Sequence, residues 1–279
     1  EEADNDYQKL GADVTFDIVL TATQDTVEKD GFNSSDYDAG AEFPVADEAG
    51  LREALEKDNA IVTLIDDIHL DAPLRVAAGH TATIDLKGKT ISITNEVPVY
   101  NNGNLTISNG ILSSHKTDPN PETVIRSESG HLTLENCTIE STSDGKTHLG
   151  RYSIQITGGT ADITDCELIG KRGGFDVCGD AVVTVNGGTY SACAYYPVYA
   201  HDNAKFTANN AAFIKDASLG AVIDSFNFVY AHGTPSIVFN SCEFHTPTYW
   251  GIATSGTPSG VVTLNNCRAF ENGIEQEIR

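Results

Sequence analysis

Two identical tetrapeptides carry the densest chemistry in this chain: Val198-Tyr199-Ala200-His201 and Val229-Tyr230-Ala231-His232. They lie 31 residues apart, the same interval that separates Ala211 from Cys242 in a repeated motif described below. In strands, alternate side chains share a face. With the valines and alanines turned inward, Tyr199 and Tyr230 fall side by side outside, and so do His201 and His232. The preceding unit adds Asp176 beside the tyrosines and Cys178 beside the histidines, with Asp180 in the following turn. Asp202 follows His201, and a still earlier unit contributes Gln155 and Thr157.

Such a stripe suits an extended sugar chain. Tyrosine faces accept pyranose rings, and Asp180, Asp202 and Gln155 bond hydroxyls. It also offers two routes to catalysis. A glycoside hydrolase needs two carboxyls about 5–10 Å apart, which Asp176 can form with Asp180 or Asp202. A polyuronate lyase neutralises a uronate with a cation or basic group and abstracts the neighbouring proton. For that chemistry Asp176, His201, His232 and Arg172 are the candidates, Arg172 standing in a small basic cluster with Arg151 and Lys171. Against both stands a purely structural reading, in which the aromatics pair across strands to stiffen a sheet or are covered by the loop from Asp216 to Phe228.

The elements that position these residues are announced by a repeat. A small residue recurs as Gly110, Cys137, Cys166, Gly188, Ala211, Cys242 and Cys267, at intervals of 22 to 31 residues. Apolar residues precede it by three positions (Ile107, Leu134, Ile163, Val185, Ala208, Phe239, Leu264) and follow it by two (Leu112, Ile139, Leu168, Tyr190, Phe213, Phe244, Ala269). A motif at this period marks a solenoid, and the alternation within it has the period of a strand. Two strands per unit are explicit, and a third precedes them at Ile154–Thr157, Phe175–Cys178, Val198–His201, Val229–His232 and Ile252–Ser255. Stacked about 4.8 Å apart, such coils bury together what none buries alone. The expected fold is all-β, a right-handed single-stranded parallel β-helix of about eight to nine coils. Immediately before the small residue stand Asn109, Asn136, Asp165, Gly187, Asn210, Ser241 and Asn266, types that tolerate a left-handed bend.

With stacked asparagines at that bend, the chain resembles the pectin-lyase-like superfamily of parallel β-helices from about Ile61 to Phe270. The resemblance implies the fold, and with it the repeat modules of secreted or surface-attached bacterial proteins. It brings no catalytic signature: the adjacent aspartates of the superfamily's polygalacturonases occur only as Asp66-Asp67 in the entry coil, and His232 follows Ala231 where those enzymes have Gly-His-Gly.

Residues 46–279 are read as the solenoid, opened by a capping helix over 47–57, where Leu51, Ala54 and Leu55 recur at helical spacing and shield exposed strand edges. Residues 1–45 form an extension or cap segment with a strand-like stretch at Val14–Thr21. The C-terminal end shows no evident cap. Against 17 Lys and Arg stand 40 Asp and Glu, a net charge of −23. That argues against nucleic acid as a partner, since its phosphates need clustered basic charge, and is compatible with Ca²⁺. No apolar run is long enough to span a membrane. Of six cysteines, four occupy the inward small-residue column, as buried apolar residues rather than bridges. No C-x-x-C pair supports zinc, and no cofactor is expected. The resulting expectation is a secreted or cell-surface binding module, part of a larger surface protein, with polysaccharide or a cell-surface glycan as partner. The alternatives are a lyase or hydrolase acting on an acidic glycan, and a structural spacer.

Overall fold

The computed structural model describes residues 42–278 apart from His148. The strand expected at Val14–Thr21 lies outside them.

The chain winds into a parallel β-solenoid. First strands stack from Ala60–Leu64 through Thr81–Asp85, the first halves of Asn104–Lys116 and His131–Ser143, then Thr160–Thr164, Val182–Asn186, Lys205–Asn209 and Ser236–Asn240 to Val262–Asn265, every neighbouring pair parallel. Second strands stack beside them, as in Glu167–Gly170, Thr189–Ala192, Ala212–Lys215 and Glu243–Thr246. In two coils, Asn104–Lys116 and His131–Ser143, a single strand runs through the bend, so first and second strands join into one eighteen-stranded array. Third strands form a separate seven-stranded sheet.

The bend between first and second strands is set where the sequence indicates. Asn109, Asn136, Asp165, Gly187, Asn210, Ser241 and Asn266 all have positive φ, between 51° and 67°. A residue with a β-carbon pays sterically for that conformation unless a short polar side chain bonds locally, which explains the Asn, Asp, Gly and Ser found there. The stronger asparagine ladder runs one residue earlier: Asn209 donates to Asn186, Asn240 to Asn209 and Asn265 to Asn240, at 2.9, 2.9 and 2.8 Å.

Inside, the repeated columns become continuous stacks. Tyr190, Phe213 and Phe244 lie in register on successive coils, their rings stacked at 5.5 and 5.7 Å. Phe239 meets Phe213 and Phe244 edge-on at 5.2 and 5.1 Å. Each such pair is worth about 0.5–1.5 kcal/mol beyond its area. All six cysteines are free; Cys137, Cys166 and Cys242 are buried in their column, while Cys267 in the last coil is half-exposed.

At each end an added element covers part of the open coil. Strand Glu42–Val45, at the end of the segment expected as an extension or cap, pairs along the edge of Ala60–Leu64. A helix then spans Glu48–Leu55, shorter than expected by one residue at its start and two at its end, with Leu51 and Ala54 buried in the core. Asp47 caps it, accepting from the Gly50 N–H at 2.8 Å, and Arg52 ties it to the first coil through the carbonyls of Ala72 and Pro73. At the other end the sequence shows no cap, yet Ile274–Gln276 folds back antiparallel on Arg268–Glu271 and occupies its open edge.

The third sheet departs from expectation at both ends. It begins three coils earlier than the pattern reveals, at Leu74–Val76, Val99–Asn101 and Ile125–Ser127, each only three residues long. It also stops sooner: Ile252–Ser255 forms no strand and makes one bridge, Val229 to Ala253. The reason is local. Asn227 donates its side-chain amide to the carbonyls of Gly251 and Ala253, and the Ala231 N–H donates to the Thr257 hydroxyl instead of extending the ladder.

Candidate functional site: the outer face of the third sheet

Parallel register along the third sheet aligns one outward column: Arg75, Tyr100, Arg126, Gln155, Asp176, Tyr199 and Tyr230. The intervening residues point in, and Val198, Ala200, Val229 and Ala231 are wholly buried. The expected pairing of Tyr199 with Tyr230 and of His201 with His232 is observed. The tyrosine rings stack at 5.5 Å and 8°, the imidazoles at 4.8 Å and 20°.

Tyr199 and Tyr230, half-buried, line an open cleft of about 290 Å³, together with Gln155, Asp176, Arg151 and Arg172. The loop from Asp216 to Phe228 does not bury them. Three further aromatics complete the walls: Tyr152, Tyr195 and Tyr196. Tyr152 stacks beneath Tyr199 at 5.5 Å, so three tyrosines form one continuous pile. Room for its ring comes from Gly173, where a β-carbon would approach it to 2.4 Å. Burial holds the Tyr152 phenol far above its ordinary pKa. Tyr196 packs against Tyr230 at 5.4 Å and Tyr195 against Tyr196 edge-on. Their turn is pinned from beneath by Lys215, a buried lysine whose ammonium donates to the carbonyls of Cys193 and Tyr195. Desolvation lowers its pKa to about 7.

The charged candidates divide. Asp176 sits at the centre: Gln155 donates to its Oδ2 at 2.9 Å, and His201 Nε2 stands 3.5 Å from its Oδ1. Burial raises the carboxyl's pKa against the opposing pull of Gln155, His201 and Arg172. His201 Nδ1 meets Asp202 Oδ2 at 2.9 Å, and Asp202, held below the usual carboxylate range first by the Gly179 N–H, stays ionised. His232 shares a hydrogen bond of 2.8 Å with the Tyr199 hydroxyl. Arg172 is engaged in bracing: its guanidinium lies over the rings of Tyr152 and Tyr195, 5.0 and 4.8 Å from their centroids, and donates to the Gly150 carbonyl. Arg151 pairs with Glu122 at 2.8 Å but remains largely exposed. His201, His232 and Asp202 flank the cleft without lining it, and two further expected members are also outside its lining. Lys171 donates to the Ser143 carbonyl, and Asp180, exposed in the corner turn, accepts from Asn203 at 3.2 Å; neither lines the cleft.

Sequence reasoning missed Tyr152, Tyr195 and Tyr196, and the upstream column of Arg75, Tyr100 and Arg126. The doublet Tyr195-Tyr196 immediately before the strand Val198–Asp202 was the available signal. For Arg126 it was the alternation Ile125-Arg126-Ser127.

A family model described as a right handed beta helix region matches residues 122–276, more than half of the chain. The chain belongs to that family. A solved structure titled "L. reuteri 53608 SRRP" is similar at 14% identity, covering 84% of this chain and 99% of its own, with a TM-score of 0.39. No curated protein matches. Among the described residues, no helix is long and apolar enough to cross a membrane.

Proposed function

We propose that the third-sheet cleft binds a glycan, and that the protein acts as a recognition module at the outside of a bacterial cell or in secreted form, alongside other domains. The observation that carries this reading is the parallel, stacked Tyr199/Tyr230 pair open at the cleft. Tyrosine is amphipathic, rigid and ordered at small entropic cost, and the stacked rings, one per coil, line the cleft with their edges and hydroxyls, an apolar and hydrogen-bonding contact repeated along a sugar chain. Gln155, Asp176 and Arg151 stand beside them as donors and acceptors for hydroxyl or carboxylate groups. Calorimetric titration with a panel of neutral and acidic polysaccharides tests it. Binding by the native chain that is lost in Tyr199→Ala and Tyr230→Ala supports the reading; no binding across the panel, or binding indifferent to both changes, refutes it and leaves a spacer.

One observation favours a second reading, that the site is hydrolytic or eliminative. Asp176 is a largely buried carboxyl with a raised pKa, in line with His201 and Asp202, an arrangement suited to moving a proton. Release of reducing ends or of unsaturated products from the bound polysaccharide, abolished in Asp176→Asn, is its test.

A further inference from the structure

Beside the aromatic pile, the fold assembles a second kind of chemistry. Asp176 and Cys178 project outward two residues apart, and His201 stands on the next coil, one step past the pair Val177 and Ala200. One donor atom from each of the three lies within 4.8 Å of the other two. We propose that Asp176, Cys178 and His201 form a transition-metal site of the zinc type, with three protein ligands and one open position.

The geometry is close to what the ion requires. Metal–ligand bonds of roughly 2.0–2.3 Å in a tetrahedron place neighbouring donors about 3.3–3.7 Å apart. The His201 Nε2 to Asp176 Oδ1 separation of 3.5 Å already matches such an edge, and modest side-chain rotation brings in the sulfur. The outer groups are also those of a metal site. Ligating imidazoles donate their second nitrogen to a carboxylate, and ligating carboxylates are themselves hydrogen-bonded. Here His201 gives Nδ1 to Asp202 at 2.9 Å, which leaves Nε2 for the metal. Gln155 holds Asp176 Oδ2 at 2.9 Å, which leaves Oδ1. That Oδ1 is buried without a hydrogen bond, facing only the His201 Nε2 at 3.5 Å; a cation between the two satisfies an oxygen that is otherwise costly to bury. The donor set chooses the metal. A thiolate, an imidazole and one carboxylate suit zinc or its neighbours, whereas calcium takes six to eight oxygens.

The site does not depend on glycan recognition, and its test needs no glycan. The full chain, kept reduced and freed of metal, is titrated with Zn²⁺ against a chromophoric chelator, and separately with Co²⁺ while the absorption spectrum is recorded. One equivalent is expected to bind, with a near-ultraviolet sulfur-to-cobalt charge-transfer band in the Co²⁺ form. Cys178→Ser is expected to abolish the band and to weaken Zn²⁺ binding by tenfold or more, since even outer groups of such sites are worth about 10–100-fold. His245→Ala, a surface histidine paired with Glu243, is expected to change neither. Absence of stoichiometric binding, a Co²⁺ complex lacking the thiolate band, or a band that survives Cys178→Ser overturns the proposal. Should Cys178→Ser fail to fold, the native chain still overturns the proposal by showing no stoichiometric binding or no thiolate band, and loss of the band in His201→Gln assigns it to this site rather than to one of the other five free cysteines.

Discussion

Tyr199 and Tyr230 come from strands 31 residues apart in the chain and lie ring over ring, 5.5 Å apart and 8° from parallel. Tyr152 beneath Tyr199, Tyr196 against Tyr230 and the His232 bond to the Tyr199 hydroxyl buttress that alignment but do not create it. It follows from coil register, since Val198 meets Val229 and Ala200 meets Ala231 in the core below.

If this pair is the sugar platform, Tyr199→Ala weakens glycan binding by tenfold or more, equivalent to about 1.4 kcal/mol. Tyr199→Phe, which keeps the ring and gives up only the hydroxyl bond to His232, retains most of the affinity. Calorimetry on the three proteins separates ring from hydroxyl; equal losses in both variants would contradict the stacking role.

Asp176 predicts a pH signature. Its folded pKa lies above the ordinary 3.8, so the folded state holds the proton more tightly than the unfolded chain. The destabilisation it causes is absent below about pH 3.8 and develops as pH rises through the folded pKa. In chelator, Asp176→Asn is therefore more stable than the native chain at neutral pH, and the gap closes in acid. Urea melts across that range measure it, and a gap independent of pH would show that the carboxyl is not strained by burial.

Lys215 behaves in the opposite half of the scale. Its folded pKa of about 7 lies below the ordinary 10.5, so between these values the unfolded chain binds the extra proton and stability climbs with pH. Lys215→Met flattens that climb. It also leaves the Cys193 and Tyr195 carbonyls without their donor, at a cost of about 1–3 kcal/mol for a buried unpaired group, and it loosens the turn carrying Tyr195 and Tyr196. Weaker glycan binding at unchanged stoichiometry is the expected functional readout.

At the coil bend, Asn210 has φ of 53°. Asn210→Val forces a β-branched residue into the left-handed region and costs roughly 1–3 kcal/mol, while Asn210→Gly is tolerated. Comparing their thermal unfolding with the native chain checks whether the bend residues are chosen for backbone conformation.

The core and the bend were legible because every coil repeats them: Phe213, Phe239 and Leu264 occupy recurring columns, and Asn109 or Asn266 recurring corners. Register then carried the reading outward to Tyr199, Tyr230, His201 and His232. The walls of the cleft were not legible, because they do not repeat. Tyr195 and Tyr196 owe their place to a buried lysine on another strand, and Tyr152 owes its place to the missing side chain of Gly173. The early third strands escaped notice because three residues, such as Leu74 to Val76, are too few to display a period.

The outward column of the third sheet is not the same at its two ends. Arg75, Tyr100 and Arg126 stand toward the helix-covered end, Gln155 and Asp176 in the middle, Tyr199 and Tyr230 toward the other. A linear polymer lying along this wall therefore meets guanidinium groups at one terminus and stacked phenols at the other. The surface has a polarity, guanidinium at one end and phenol at the other, so the proposed glycan site distinguishes the two directions of a chain with chemically distinct ends.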